Sequence, residues 1–180
     1  MLAIIGGSGL ANVPGFTVAD RRDVSTPHGE PSAQFLIGAF AGEEMVFLAR
    51  HGANHSIPPH EINYRANIWA LQALGVSRIV SVATVGGIGA LFTPGTLALP
   101  HQIIDYTWGR RQTFFDGGEA VTHIDFTQPY SDEIRTAIQV CAGECNELVL
   151  SRAVYAATQG PRLETAAEID RLDRDGAEVV

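Results

Sequence analysis

The sequence predicts an α/β fold with parallel neighbouring strands, on three observations. Short apolar runs alternate with segments of helical period, several of those runs stop abruptly in glycine-rich or polar clusters, and 46% hydrophobic content over 180 residues supplies one sizeable core. No internal repeat, low-complexity tract or linker interrupts the pattern, so one domain over residues 1–180 is expected.

The elements follow in order. Leu2 to Ile5 is a short apolar strand that runs into Gly6-Gly7-Ser8-Gly9, too glycine-rich to continue it. Phe35 to Phe40 and Met45 to Ala49, joined through Ala41-Gly42-Glu43, read as a hairpin whose second strand delivers the chain into Arg50-His51-Gly52. Pro58-Pro59 forbids a helix before Glu61; Ile62, Ala66, Trp69, Ala70 and Ala73 then form one apolar helical stripe that ends at Gly75. Ile79 to Ala83 reads as a strand buried on both faces, ending in Thr84-Val85-Gly86-Gly87-Ile88-Gly89. Leu97 to Leu99 and Gln102 to Asp105 are further strands. Ser131 caps a helix to about Val140, with Asp132 and Glu133 in its first turn where the helix dipole favours them. Glu164 to Leu172 is another helix, stopped near Gly176, and Ala177 to Val180 reads as a strand.

Composition excludes several function classes. The formal charge is −8 and the pI about 5.1, which argues against a broad basic face for nucleic acid. All twelve cations are Arg, so neither a lysine Schiff base nor a P-loop lysine is available, and guanidinium forks are the strongest anion binders in the chain. No run approaches the roughly 20 apolar residues of a membrane span, and MLAIIGGSGL lacks the basic flank and cleavage region of a signal peptide, so a cytoplasmic location and no membrane partner are expected. Cys141 and Cys145 have no metal-ligand neighbours in sequence and read as reduced bystanders.

Three strands end in small or polar clusters: Ile5 in GGSG, Ala49 in RHG, Ala83 in TVGG. In an α/β sheet the carboxyl ends of parallel strands line one edge, where ligands bind. There Ser8, Arg50, His51, Thr84 and glycine-freed backbone N–H groups make an inventory for holding a phosphate. Each element alone has a plainer reading: GGSG as a tight turn, Arg50 as a structural ion pair. His51 and His55 stand four apart, but Gly52 and Pro58-Pro59 disfavour a helix and no His-Glu-x-x-His pattern exists, so no metal is expected. The dinucleotide fingerprint fails, with Asn12 and Phe92 where third glycines belong. Gly160-Pro161 sets Glu164 at the mouth of a helix, where it serves the dipole or accepts from a ligand's N–H groups.

The segments AIIGGSGL, TPHGEPS, LARHGANHSIPPHEINYRANIWAL, VGGI, HIDFTQPYS and TQGPRLET, in that order from residue 1 to 180, resemble the trimeric purine nucleoside phosphorylase and methylthioadenosine phosphorylase family, nearest its bacterial S-methyl-5'-thioinosine branch. The resemblance implies a three-layer sandwich with a mixed, largely parallel central sheet flanked by helices. It also implies a pentosyltransferase of purine salvage: phosphate attacks the anomeric carbon of a purine nucleoside, releasing base and sugar 1-phosphate with no cofactor beyond that co-substrate.

Carried over residue by residue, Ser8, Arg50, His51, Ala83 and Thr84 match phosphate ligands, although relatives commonly have a polar side chain at the position of Ala83. Leu163 and Glu164 match the base site. Glu164 belongs to enzymes for 6-oxopurines, where it accepts from N1–H, whereas methylthioadenosine enzymes carry a small hydroxyl residue there. His123 matches a residue that reaches the 5' end of the sugar in a neighbouring subunit, which implies a homotrimer or hexamer with shared sites. Family members continue past the position of Val180 with further ribose, phosphate and base contacts, so the domain is expected to lack its C-terminal part. Phosphorolysis of S-methyl-5'-thioinosine to hypoxanthine and 5-methylthioribose 1-phosphate is therefore the expected activity. The alternatives are a methylthioadenosine or general purine nucleoside phosphorylase, or a non-catalytic nucleoside- or phosphate-binding remnant.

Overall fold

The computed structural model describes residues 1–7, 9–10, 13–117 and 120–180. The chain forms two compact units, Met1–Thr84 with Gly109–Glu119, and Val85–Trp108 with Ala120–Val180.

The first unit is built on a five-stranded mixed sheet. Its strands are β1 (Leu2–Gly6), β2 (Phe16–Arg22), β3 (Phe35–Phe40), β4 (Glu43–Ala49) and β5 (Arg78–Ser81), in the order β2-β3-β4-β1-β5. β1 runs parallel to both β4 and β5, while β2–β3 and β3–β4 are antiparallel. The predicted hairpin closes on two residues, Ala41 and Gly42, both at positive φ (50° and 84°), the turn whose twist matches paired strands. β2 escapes sequence reading because Asp20, Arg21 and Arg22 mask its apolar positions; its register shifts between Val18 and Asp20. Beside that bulge Gly38 lies against the Thr17 carbonyl, where a Cβ would overlap backbone.

Period-two side chains sort onto two faces. Ala3, Phe35, Ile37, Val46 and Leu48 pack with Ala70 and Leu71 of helix α1 (Tyr64–Ala73). Leu36, Phe47 and Ala49 form the opposite cluster with Ile4, Leu10, Phe16 and Val18. Burial on both faces explains why β3 and β4 read as continuous apolar runs. β5 differs from expectation: Ile79 and Val80 are half-buried and Ser81 is exposed. Among the described residues it pairs only with β1, so one flank of each side chain stays open.

Helix α1 starts later than the prolines alone imply. Pro59–Glu61 makes a single 3-10 turn, and Asn63 caps α1 by accepting from the Ala66 N–H at 3.1 Å. Its buried stripe is Ala66, Asn67, Ala70 and Leu71, with Trp69 half-buried and Ala73 exposed. Asn67 is buried because it is satisfied: its side-chain carbonyl accepts from Ser32 N–H (2.8 Å) and its amide donates to Ser32 Oγ (2.9 Å). Asn63 also donates to the His28 carbonyl at 2.7 Å. The TPHGEPS segment is thus stitched to the helix by two asparagines.

The second unit contains two parallel strand pairs, β6 (Leu97–Ala98) with β8 (Val149–Leu150), and β7 (Gln102–Asp105) with β9 (Val154–Ala157). It also carries helices α2 (Asp132–Glu144) and α3 (Ala166–Arg174). Ser131 caps α2 as expected, and the helix runs on to Glu144. No side chain of α2 is fully buried; Arg135 anchors it, Nε donating to the Pro100 carbonyl at 2.9 Å and Nη2 to the Ser151 carbonyl. The core is Ala156, Leu172 and Ala177, with Ile88, Tyr106, Ile169 and Val180 packed around it. The strand expected at Ala177 to Val180 reduces to isolated bridges of Val179 with Gly87 and Tyr155. Cys141 and Cys145 are exposed and unpaired.

Candidate active site

In the first unit the predicted edge is present. Register places Gly6 opposite Ala49 and Ile5 opposite Ser81, so the carboxyl ends of β4, β1 and β5 lie side by side. The backbone continues the pattern one residue further, Arg50 N–H donating to Gly6 O (3.0 Å) and Val82 N–H to Ile5 O (2.8 Å). Arg50 then spans all three strand ends: Nη1 donates to the Val82 carbonyl at 2.6 Å and Nε to His51 Nε2 at 3.0 Å. Those two bonds fix the guanidinium plane, and among the described residues Nη2 meets no acceptor.

His51 has one tautomer in this arrangement. The Ile57 carbonyl, 2.8 Å from Nδ1, can only accept, so Nδ1 carries the proton and Nε2 offers its lone pair to Arg50. With both ring nitrogens engaged, the imidazole orients Arg50. The turn that permits this is built on Gly52 at φ 79°, whose N–H reaches Ala49 O and whose carbonyl accepts from His55 N–H, each at 3.1 Å. The His55 ring packs on His51 with centroids 4.7 Å apart. Ala83 and Thr84 are exposed immediately past β5, next to the Val82 carbonyl that holds Arg50. Ser8 lies outside the described residues.

Arg110 lies over the Tyr64 ring (5.3 Å) and donates to its hydroxyl at 3.1 Å, while that hydroxyl donates to Pro59 O at 2.9 Å. Burial pushes the Tyr64 phenol above its ordinary value, and the guanidiniums of Arg110 and Arg50 pull it the other way.

The second unit holds a cleft of 360 Å³ built from residues just past β7 and β9, among them Tyr106, Trp108, Thr158, Gln159 and Glu164. Here Glu164 precedes α3 instead of opening it. Thr165 is the cap, accepting from Glu168 N–H (3.2 Å) while Glu168 Oε2 accepts from Thr165 N–H (2.7 Å), a complete capping box. With the helix terminus served by Glu168, Glu164 is free of that duty, and Oε1 accepts instead from Thr158 Oγ1 at 2.7 Å. Leu163 beside it is 86% exposed. His123 is exposed in the irregular segment before α2.

Sequence reading missed Tyr106, Trp108, Thr158 and Gln159. The available signal was that VYAA before TQG is another apolar run stopping in a polar cluster. Tyr106 itself donates to Asp175 Oδ2 (2.6 Å), which raises its phenol above the ordinary value, and Arg171 stacks on its ring at 5.1 Å. Among the described residues no group of three or more His, Cys, Asp or Glu could hold a metal ion, and no helix is long and apolar enough to cross a membrane.

Known proteins share both the sequence and the fold. The profile of the phosphorylase superfamily matches residues 1–180. The chain is 49% identical over 179 residues to a probable S-methyl-5'-thioinosine phosphorylase of Pseudomonas syringae pv. tomato, covering 99% of this chain and 73% of that protein. It is 45% identical over 185 residues to the 6-oxopurine nucleoside phosphorylase of Pyrococcus furiosus, covering 99% and 69%. Methylthioadenosine phosphorylase from Schistosoma mansoni, solved in its apo form, superposes with a TM-score of 0.91 at 30% identity, covering 99% of this chain and 71% of that one.

Proposed function

The chain belongs to the phosphorylase superfamily, and from that premise we propose that it catalyses phosphorolysis of S-methyl-5'-thioinosine, giving hypoxanthine and 5-methylthioribose 1-phosphate. The observation that carries the reading is Glu164: a carboxylate in a cleft, relieved of helix capping by Glu168. A 6-oxopurine offers it an N1–H donor, whereas a 6-aminopurine presents a lone pair there.

The chemistry asks little of the protein beyond position and charge. A phosphate oxygen bonds to the anomeric carbon as the bond from that carbon to the purine nitrogen breaks, its electron pair leaving with the base, which takes up a proton. The sugar develops oxocarbenium character between two anions, so fixed donors on phosphate and a fixed acceptor on the base lower the barrier without a protein nucleophile. Arg50, oriented by His51 and Val82, supplies the principal charge on phosphate, with Ser8, Ala83 and Thr84 completing its contacts. Glu164 and Leu163 meet the base. The working state is a homotrimer in the cytoplasm, in which His123 reaches the 5' end of the sugar bound by a neighbouring subunit.

Methylthioadenosine phosphorolysis is the second reading, favoured by the solved relative from Schistosoma mansoni and opposed by Glu164. Phosphate-dependent release of base from S-methyl-5'-thioinosine, S-methyl-5'-thioadenosine and inosine separates them. The thioinosine is expected to be fastest; preference for the thioadenosine establishes the second reading, and release from none of the three rejects both.

A further inference from the structure

Glu164 is hydrogen-bonded to a second residue of its own cleft. Thr158, the first residue beyond β9, is joined to it across the loop of residues 159–163 by the 2.7 Å bond from Oγ1 to Oε1. A carboxylate only accepts, so the threonine's hydroxyl proton lies in this bond. Oε1 is committed, and Oε2 has no protein donor among the described residues.

Both ends of the loop are anchored independently. Asp105 and Ala157 are partners in the parallel register, and Tyr106 N–H donates to Ala157 O at 2.9 Å immediately before Thr158. On the other side Thr165 is locked into the capping box. Between them Gln159 Oε1 accepts from Trp108 N–H (3.3 Å), and Arg162 forks onto Glu168 at 2.8 and 2.7 Å, with a third bond to the Leu163 carbonyl. The backbone on which Glu164 sits is therefore set. What remains is the torsional freedom of its side chain, and the Thr158 hydroxyl restricts that.

We propose that Thr158 is a positioning residue for base selectivity, holding Glu164 with one oxygen occupied and the other offered to a ring N–H of a 6-oxopurine. The inference rests on the phosphorolysis reading above. A carboxylate held still attracts the N1–H of an oxopurine and repels the N1 lone pair of an aminopurine, whereas a mobile one swings away from the second and discriminates less.

The test compares wild type with Thr158→Val, which keeps the branched shape without the hydroxyl, and Thr158→Ser, which keeps the hydroxyl. Each is assayed for kcat/KM on S-methyl-5'-thioinosine and S-methyl-5'-thioadenosine, and for calorimetric binding of free hypoxanthine and adenine. Thr158→Val is expected to lower the oxo-to-amino ratio of kcat/KM about tenfold with KM for phosphate unchanged, and Thr158→Ser to restore the ratio. A valine variant that keeps the wild-type ratio, or that loses both nucleosides equally, overturns the proposal. If wild type turns over neither nucleoside, the phosphorolysis reading has failed. The base-binding arm then decides alone: preference for hypoxanthine present in wild type and weakened in Thr158→Val sustains the positioning role, and any other pattern rejects it.

Discussion

The two units place polar groups by the same device and support them by different means. In each, residues immediately past the carboxyl ends of parallel strands form the polar constellation, Arg50 and Ala83-Thr84 in one, Tyr106 and Thr158 in the other. In the first unit the strands rest on large buried side chains, Phe35, Val46, Leu48 and Leu71. In the second the fully buried large side chains are Leu172 and Val179, α2 buries none, and Val121, Ile124, Phe126 and Leu148 are more than 60% exposed. The edge that carries Arg50 is held by packing, while the cleft of Glu164 is held by side-chain hydrogen bonds and a capping box. Stability within one chain is local, so the same device has different tolerance to change in its two settings.

Core truncation is the strongest way to probe that difference. Leu71→Ala is expected to cost about 3 kcal/mol and Leu172→Ala about 2 kcal/mol in chemical denaturation, because the smaller cluster leaves more room for the site to collapse. Equal costs would mean that the second unit packs as tightly as the first.

Next is the guanidinium. Arg50→Ala should raise KM for phosphate on the order of a hundredfold, since it removes a preoriented charged donor. An unchanged phosphate dependence in initial-rate assays would detach Arg50 from the anion altogether.

The polar scaffold of the second unit should be more forgiving. Thr165→Ala removes half of the capping box and is expected to cost about 1 kcal/mol in thermal melts. A negligible loss would show that Arg162 and Glu168 hold the loop without the cap.

The smallest effect is one of pH. Arg162, and then the Thr165 N–H, hold the Glu168 carboxyl at about 2, below its ordinary 4.5. A depressed folded-state value contributes stability that is present above the ordinary value and lost as pH falls through the lower one. The stability difference between wild type and Glu168→Gln should therefore be constant above about pH 5 and close between 4.5 and 2. Urea melts across that range read it directly, and a difference that does not change with pH removes the ion pair from the account.

Much of the strand-end edge around Arg50 was legible because it is local. An apolar run that stops in Arg-His-Gly must turn there, and that places a guanidinium at the strand end. Glu164 was only half legible: Gly160-Pro161 marked a break, but whether Glu164 or Glu168 served the helix depended on which residue became the cap, a choice made by one threonine hydroxyl. β2 was masked by its charged residues, whereas β9 carried the same signal as the other strand ends, an apolar run that stops in a polar cluster.

By itself, then, the sequence determined which residue types could meet an anion and where strands and helices had to stop, because turns, caps and apolar periodicity act over a few neighbours. Only the tertiary structure decided what those residues do. Arg50 finds Val82, Asn67 finds Ser32 and the end of β7 finds the end of β9 through closures of many residues, and these contacts form only after non-local strand pairing and core packing have offset the entropy of bringing distant segments together.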